Sequence, residues 1–303
     1  SRLSRGLGDV YKRQVPALSV DEDQRQELYT KRWAIGGTGF LGSFNDLLTN
    51  ADANYTAAEY VRQQIKRVVK DKETAEILCP RSYPIGTKRI CIDTGYFETY
   101  NRENVKLVDI SKKPIQRLVA DGIIVDDQLY AFDSIIFATG FDAMTGSIFN
   151  VDIKGRDGLA LKEKWNAGPK TYLGLMSASF PNLFMITGPG SPSVKSNMIM
   201  SIEQHVDLVI ETLLSMRRKG LSVVEPELEA ENKWVDHVQE VANKTLFPQA
   251  NSWYMGANIP GKPRLFMPYI GGVGAYREIC EEIVANNSRG FKFEKSKQVI
   301  AAE

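Results

Sequence analysis

The residues of this 303-residue sequence that are best suited to chemistry are two adjacent cations, Lys88 and Arg89, at the end of a loop. The loop begins at Pro80 and contains two prolines and a glycine, which are incompatible with regular structure. An arginine stays charged at any working pH and can stabilise negative charge that develops in a reaction. A Lys-Arg pair is more often solvated surface charge, and spacing alone favours that interpretation.

The other reactive residue types give weaker signals. The two histidines, His205 and His237, are far apart, and the three cysteines (Cys79, Cys91 and Cys280) are widely spaced and odd in number. We therefore expect neither a metal site nor a disulfide framework, and this cysteine usage fits a reducing cytoplasm. Both histidines are expected to be structural, with His205 forming hydrogen bonds from a buried helix face.

A short apolar segment at 134–138 is the expected structural centre of the chain. It is rich in β-branched and aromatic residues and is closed by Thr139 and Gly140, which predicts a buried strand. In an open α/β sheet ligands lie at the carboxyl ends of the strands, so Thr139 and Gly140 are candidate ligand contacts. A strand that ends in a glycine turn is also ordinary scaffold, and that alternative is the commoner one.

A second unit of similar pattern follows at 183–197. It is predicted to contain a strand over 183–187, a Gly-Pro-Gly turn from Gly188, and a helix that begins at Ser196 or Asn197, both favourable N-caps. The first turn of a helix carries free N–H groups and partial positive charge, so this start can face a ligand, although every helix has such an end. One face of the predicted helix is apolar and is formed by Ile199, Ile202, Val206, Val209 and Leu213.

The rest of the chain is predicted to mix helices with short strands. Gly37, Gly39 and Gly42 match the G-x-G-x-x-G pattern of dinucleotide sites, but the residues before them are typical of a helix end and not of a strand. We therefore expect these glycines to end one helix and turn into the next. Helices are predicted at 21–33, 50–71, 74–79, 227–245 and 275–285, strands at 90–92, 105–110, 123–125 and 172–176, and a loose polar tail from 291.

Composition limits the class of protein. The chain is 43% hydrophobic and 25% charged with a net charge of +1, so it offers no basic surface for nucleic acid or an anionic membrane. No apolar run approaches the ~18 residues that cross a bilayer, and no signal-peptide pattern is present. We expect a cytoplasmic protein that binds neither nucleic acid nor membranes.

Three motifs carry a resemblance to a known family: ATGFDAMTG from Ala138, GPGSPSV with SNM and SIEQHV from Gly188, and SWYMGANIPGKPR from Ser252. Together they resemble the carboxyl-terminal half of a type I Baeyer–Villiger flavin monooxygenase, similar to the cyclohexanone and phenylacetone monooxygenases. The resemblance runs from about Glu27 to about Phe293. It implies an α/β fold with two Rossmann-like dinucleotide-binding domains, for FAD and NADP, both incomplete in this chain.

The resemblance also implies an activity and a set of site residues. The whole enzyme would use FAD, NADPH and O2 to insert one oxygen next to a ketone carbonyl, giving an ester or lactone. Arg89 is implied as the catalytic residue over the flavin, Lys88 as a contact of the NADP 2′-phosphate, and Trp253 as a contact of the nicotinamide cofactor. Further implied contacts are Thr139, Gly140, Gly188, Asn197 and Met198 for the cofactors, and Ser193, Val194 and Lys195 for the substrate pocket. Lys195 stands where relatives commonly carry leucine, so their substrate preference does not transfer past it.

The same resemblance divides the chain. Residues 15–140 correspond to the later part of the NADP-binding domain with a helical subdomain, and 141–303 to the returning half of the FAD-binding domain. Residues 1–14 resemble translated vector sequence and are interpreted as a non-native leader. The glycine fingerprints for both cofactors are absent from the sequence, so we expect the partner half to be missing and the fragment to be colourless and inactive. The alternatives are a flavin N- or S-hydroxylating monooxygenase and a non-catalytic fragment that partners another chain.

Overall fold

The computed structural model describes residues 15–193 and 196–295, and the chain divides into two compact units between Phe141 and Asp142. The proposed leader at 1–14 and two of the pocket residues, Val194 and Lys195, lie outside the described residues. Among the described helices, none combines the length and the apolarity that a membrane span requires.

The first unit begins with a helical layer. Helix α1 (Glu22–Ile35) follows the N-cap Asp21, whose carboxylate accepts a hydrogen bond from the backbone N–H of Gln24 at 2.8 Å. It ends at Gly36 (φ 72°), one residue before the predicted glycines, which lie in a 3₁₀ helix over Gly37–Ser43. The predicted change from one helix to the next at this place is confirmed, and the residue that ends the first helix is Gly36. The helices of this unit are α1 (Glu22–Ile35), α2 (Ala51–Val68), α3 (Lys72–Leu78) and α4 (Tyr96–Thr99).

A small antiparallel sheet completes the first unit. Strands β1 (Ile115–Val119), β2 (Gly122–Val125) and β3 (Gln128–Ala131) pair in that order, with Ile123 opposite Tyr130. The hairpin between β2 and β3 turns at Asp126 and Asp127, both at positive φ, as a two-residue hairpin loop of the favoured twist requires. The predicted strand at 123–125 is confirmed within β2.

Three other strand predictions for this unit are wrong. Residues 90–92, 105–110 and 134–138 form no strand, and Ile136 is 91% exposed. An apolar run becomes a buried strand only when neighbouring strands accept its backbone hydrogen bonds, and in the described part of this unit only β1, β2 and β3 pair. The segment 134–138 therefore lies open with its apolar side chains in solvent.

The regular secondary structure of the second unit consists mainly of helices. Its helices are α5 (Gly146–Phe149), α6 (Leu161–Lys164), α7 (Met198–Arg218), α8 (Leu228–Asn243) and α9 (Val273–Ala285). Strands β4 (Val223–Pro226) and β5 (Phe291–Glu294) pair antiparallel, so the prediction of a loose tail is wrong for 291–294. The core joins side chains from the 172–176 turn and from α7, α8 and α9, with Trp234 and Tyr276 at its centre.

Two short strand predictions in this unit are also wrong. Residues 183–187 form no strand, and 172–176 is a tight turn in which Tyr172 and Met176 make an isolated bridge. Leu173 (φ 59°) and Gly174 (φ 68°) both take the left-handed conformation there. Apolar content alone predicted an extended segment, and the two left-handed residues reverse the chain instead.

Helix α7 begins where the sequence predicts, but its buried face differs. Asn197 caps it, accepting a hydrogen bond from the backbone N–H of Ile199 at 3.1 Å. The predicted apolar face is largely exposed, with Ile199 at 66% and Leu213 at 46%. The face that packs instead carries Ser201, Gln204, His205, Leu208 and Met216. Both faces contain apolar residues, so periodicity shows an amphipathic pattern without showing which face finds a partner.

Candidate cofactor and active site

A buried side chain of α2, Asn54, bonds to the backbone of the loop that carries Lys88 and Arg89. The Asn54 amide nitrogen donates to the carbonyl oxygens of Ile85 at 2.9 Å and Leu47 at 2.7 Å, and its oxygen accepts from the N–H of Ile85 at 2.9 Å. The side chain thus satisfies both backbone groups of Ile85, as a neighbouring strand would. Asn54 fixes the loop three residues before Lys88.

The same loop closes tightly around Gly86. Gly86 has φ +85°, and a Cβ there would lie 2.5 Å from Leu41 Cδ1, so no other residue fits without rearrangement. Lys88 is half-buried with its Nζ 4.5 Å from the centroid of the Tyr83 ring, and Arg89 is exposed. The fold therefore places two cations at the end of a loop that is fixed by packing and hydrogen bonds, and the Arg89 side chain is exposed.

Thr139 and Gly140 lie on the open segment of the first unit, and both are exposed. Gly140 has φ +82°, and a methyl group added to it would meet no atom within 4 Å. Internal packing therefore does not explain this glycine, while its left-handed backbone does. The space in front of Gly140 is free for a bound group.

The Gly-Pro-Gly turn of the second unit is packed against protein. A Cβ on Gly188 would lie 2.6 Å from the Gly174 carbonyl oxygen, and one on Gly190 would lie 3.0 Å from Thr171 Oγ1. The Trp234 indole N–H donates to the Gly190 carbonyl oxygen at 3.0 Å. These glycines let the loop approach the 171–174 turn closely, a role the sequence pattern did not reveal.

Backbone hydrogen bonds join this turn to the loop that carries Trp253. The Gly190 N–H donates to the Met267 carbonyl oxygen at 2.6 Å, and the Tyr269 N–H donates to that of Ser191 at 2.8 Å. The Met267 N–H in turn donates to the carbonyl oxygen of Tyr254, the residue after Trp253, at 2.8 Å. Residues 188–191 and the half-buried Trp253 therefore belong to one hydrogen-bonded assembly in the second unit.

The start of α7 carries features suited to a ligand. Ser193 is 3% exposed, and its hydroxyl has no hydrogen-bond partner. A buried hydroxyl without a partner is costly, so a bound group or water that pairs with it is favoured. Met198 and the first turn of α7 after Asn197 are exposed, which leaves N–H groups at the positive end of the helix accessible.

His205 anchors this region from the second turn of α7. Its Nδ1 accepts a hydrogen bond from the Thr187 N–H at 2.9 Å, so the ring proton lies on Nε2 and is donated to Tyr276 Oη at 2.7 Å. The Tyr276 hydroxyl donates to the Leu173 carbonyl oxygen at 2.6 Å. Burial lowers the pKa of His205 to about 4. The neutral ring satisfies each donor and acceptor in the series of hydrogen bonds from Thr187 through His205 and Tyr276 to Leu173. The expected buried, hydrogen-bonding role of His205 is confirmed.

This depressed pKa makes a prediction for acid stability. Below its unfolded pKa of about 6.5 the ring is protonated in the unfolded chain but not in the folded one, so the free energy of unfolding falls as the pH drops from about 6.5 to about 4. The loss from this group is expected to reach about 3 kcal/mol at pH 4 and to be absent above pH 7. Urea unfolding of the chain and of His205→Gln across this range measures it: the variant should show a shallower pH slope. His237→Gln is the control, and equal slopes for all three proteins would contradict the assignment.

The described residues fit part of a dinucleotide site. In the first unit, the half-buried Lys88 and the exposed Arg89 are cations that suit an anionic group. In the second unit, taken by itself, the unpartnered Ser193 hydroxyl and the first turn of α7 suit a polar or anionic group. Gly37, Gly39 and Gly42 do not fit a phosphate cradle, because a helix and not a strand precedes them. In the ranges that the structure covers, no group of three His, Cys, Asp or Glu side chains could hold a metal ion.

Two positioning features were missed by sequence reasoning. One is the Asn54 clamp, and the other is an ion pair between Asp142 and Lys262. Both residues of that pair lie inside motifs that carry the family resemblance. The motifs therefore marked both residues, but nothing in the sequence indicated that Asp142 and Lys262 form an ion pair.

Comparisons with known proteins show which enzymes this chain is similar to. The chain is 40% identical over 272 residues to a Baeyer–Villiger monooxygenase of Pseudooceanicola batsensis, a match that covers 88% of this chain and 49% of that protein. It superposes on the NADP-bound crystal structure of cyclohexanone monooxygenase from a Rhodococcus species with a TM-score of 0.89 at 38% identity, over 93% of this chain and 53% of that one. The chain is homologous to the Baeyer–Villiger monooxygenases. It spans about half the length of the relatives it matches.

The homology is not restricted to enzymes named for ketone oxidation. A phenazine N-monooxygenase of Lysobacter antibioticus is 38% identical over 280 residues, covering 91% of this chain and 51% of that protein. No family model matches the chain. Homology to Baeyer–Villiger monooxygenases therefore confirms the resemblance seen in the motifs, and the match to an N-monooxygenase covers a similar share of the chain.

Proposed function

We propose that this chain is the carboxyl-terminal half of a cytoplasmic flavin- and NADPH-dependent Baeyer–Villiger monooxygenase. The observation that carries the proposal is the superposition on the NADP-bound cyclohexanone monooxygenase over 93% of the chain. The whole enzyme converts a ketone, O2, NADPH and a proton to an ester or lactone, NADP⁺ and water. The first unit of this chain supplies the later part of an NADP-binding domain, and the second unit supplies the returning half of an FAD-binding domain.

When bound, the flavin supplies the activation of O2 and NADPH supplies the electrons. Arg89 stabilises the negative charge that develops on the oxygen during its attack on the carbonyl, as a fixed cation at the end of the Asn54-clamped loop. Lys88 pairs with the 2′-phosphate of NADP, and Trp253 contacts the nicotinamide. These roles depend on a rigid support because the cations must be in place before charge develops.

The other proposed contacts divide by their chemistry. Thr139, Gly140 and Gly188 would hold the flavin through backbone contacts, and Asn197 and Met198 would do so at the start of α7, whose positive end suits the negative charge of a reduced flavin. The buried Ser193 hydroxyl, which lacks a partner, is suited to hold a polar atom of the bound group or substrate. Val194 and Lys195 are the remaining proposed pocket residues. The partner half of the enzyme supplies the phosphate cradles.

Oxidation of a ring nitrogen is the second candidate function. It is favoured by one observation, the phenazine N-monooxygenase that matches 91% of the chain. The two reactions share a flavin and NADPH but differ in the atom that receives oxygen.

A chimera tests the proposal. Residues 15–303 replace the homologous half of the Rhodococcus cyclohexanone monooxygenase, and the parent enzyme and the 303-residue chain alone are assayed in parallel. The chimera is expected to purify yellow, to oxidise NADPH in response to cyclohexanone, and to form the lactone, measured by gas chromatography. The chain alone is expected to be colourless and inactive.

The other outcomes count against specific parts of the proposal. A flavin-loaded chimera that oxidises phenazine but makes no lactone supports the second function. A chimera that folds, by circular dichroism, but retains no flavin contradicts the cofactor contacts. A flavin absorption band on the chain alone that survives gel filtration contradicts its assignment as half of the site.

A further inference from the structure

Two motifs that lie 120 residues apart meet in the second unit through an ion pair. Asp142 belongs to the ATGFDAMTG motif, and Lys262 belongs to SWYMGANIPGKPR. The Lys262 ammonium group donates to the Asp142 carboxylate, and also to the Ala143 carbonyl oxygen at 3.0 Å. Only 10% of the Lys262 side chain is exposed, against 40% for Asp142, so the pair is partly shielded from solvent.

Two glycines make room for this pair. A Cβ on Gly146 would lie 2.7 Å from Asp142 Cβ and 2.9 Å from its Cγ, so only glycine allows the carboxylate to sit there. Gly256 has φ +67°, and a Cβ on it would lie 2.9 Å from the Pro263 carbonyl oxygen and 3.4 Å from Lys262 Cδ. Each motif therefore provides one charged residue and one glycine that the arrangement requires.

Other hydrogen bonds hold the two ends of the loop 252–264, at positions different from the one that Lys262 holds. At its far end, the Arg264 guanidinium donates to the carbonyl oxygens of Pro248 at 2.7 Å and Ala250 at 3.2 Å. Near Trp253, the Leu265 N–H donates to the Met255 carbonyl oxygen at 3.2 Å. Between these points the loop makes local turn bonds, such as Lys262 N–H to Ile259 O at 3.2 Å. The ammonium group of Lys262 ties this middle part to Asp142, the first residue of the second unit.

We propose that Asp142 and Lys262 form a latch that keeps the loop 252–264 in its ordered conformation and thereby positions Trp253. The latch joins the point where the chain enters the second unit to the loop that carries the nicotinamide contact. The claim that the latch keeps the loop ordered is based on the ion pair and the two glycines. The claim that it affects NADPH binding through Trp253 rests on the proposed function.

Limited proteolysis of the 303-residue chain tests the latch directly. Trypsin does not cut between Lys262 and Pro263, so cleavage after Arg264 reports opening of the loop. The rate of that cut, followed by mass spectrometry, tracks the population of the open form when opening is fast. Asp142→Asn and Lys262→Met are each expected to raise it about fivefold, as for loss of a partly shielded charge pair. Lys233→Met removes a fully solvated pair with Glu229 on α8, with side chains 74% and 78% exposed, and is expected to leave the rate unchanged.

The double variant Asp142→Asn/Lys262→Met completes a cycle. If the two side chains act through one interaction, the double variant is cut about as fast as either single variant. A cleavage rate about 25-fold above the parent in the double variant would overturn the latch. Such a product of the two fivefold effects shows that Asp142 and Lys262 act on the loop independently. Unchanged rates in both single variants would overturn it as well.

A kinetic measurement on the flavin-loaded chimera tests the positioning role. Lys262→Met is expected to raise the KM for NADPH about fivefold and to change kcat at saturating NADPH by less than about twofold, because the ordered loop must then be recovered at binding. An unchanged KM for NADPH contradicts the positioning role, even if proteolysis confirms the latch. An inactive chimera overturns the proposed function and leaves the proteolysis result intact, so the two failures are distinguishable.

Discussion

In the flavin-loaded chimera, Arg89→Ala is expected to lower the rate of lactone formation by at least about 100-fold, while NADPH continues to be oxidised with release of hydrogen peroxide. A single preorganised donor aimed at developing negative charge contributes about 10²–10³ in rate. Reduction of the flavin by NADPH does not use that charge, so it should persist. Product analysis by gas chromatography, together with a peroxide assay, separates the two steps.

Two further variants show whether position or charge matters at Arg89. Arg89→Lys keeps the charge but loses the planar fork of donors, so we expect partial activity, between the two extremes. Arg81→Ala removes an exposed cation from the same loop, paired with Glu76, and should leave lactone formation within about twofold. Lactone formation at the normal rate in Arg89→Ala would show that the catalytic assignment is wrong.

The second large effect is expected at Glu231, a carboxylate with no solvent exposure on α8. Its Oε2 lies 2.8 Å from the Lys164 ammonium group, whose side chain is 9% exposed. Its Oε1 accepts hydrogen bonds from the Ala178 N–H at 2.8 Å and the Ser177 hydroxyl at 3.0 Å. Burial lowers the pKa of Lys164, and the Glu231 carboxylate opposes that shift. This cluster connects α6, the 177–178 turn and α8.

Glu231→Gln is expected to lower the free energy of unfolding of the second unit by about 3–5 kcal/mol, because it leaves the buried Lys164 cation without a counter-charge. Urea unfolding monitored by circular dichroism measures the change. Glu229→Gln, two residues earlier and 78% exposed, is the matched control and should stay within about 0.5 kcal/mol of the parent. The double variant Lys164→Met/Glu231→Leu should recover much of the loss, because it removes both buried charges. An unchanged urea midpoint for Glu231→Gln would contradict this account.

The parts of the fold that the sequence predicted are those set by local chemistry. Asp21 and Asn197 begin α1 and α7 because a short polar side chain accepts hydrogen bonds from the next turn. The strand at 134–138 was predicted wrongly because a strand depends on partners that local sequence does not contain. The buried face of α7 was missed for the same reason, since both faces carry apolar residues.

In the candidate site, the sequence indicated the contact residues but not the residues that hold them in place. The family resemblance singled out Lys88, Arg89 and Trp253, and these stay proposed contacts. The side chains that hold them in place were invisible, because Asn54 acts on a residue 31 positions away and Lys262 on one 120 positions away. Contacts of that sequence separation follow from the tertiary fold and from no pattern within one segment.

The open segment at 134–141 has a consequence for handling the chain in solution. It presents Ile136, Phe137 and Phe141 at 91%, 64% and 90% exposure, with no charged residue between Asp133 and Asp142. An uncharged stretch rich in β-branched and aromatic residues, without proline and outside the described sheets, is a template for strand pairing between molecules. Aggregation through this stretch, and not loss of the helical cores, is therefore expected to limit the yield of soluble protein, and the limit should tighten as concentration rises.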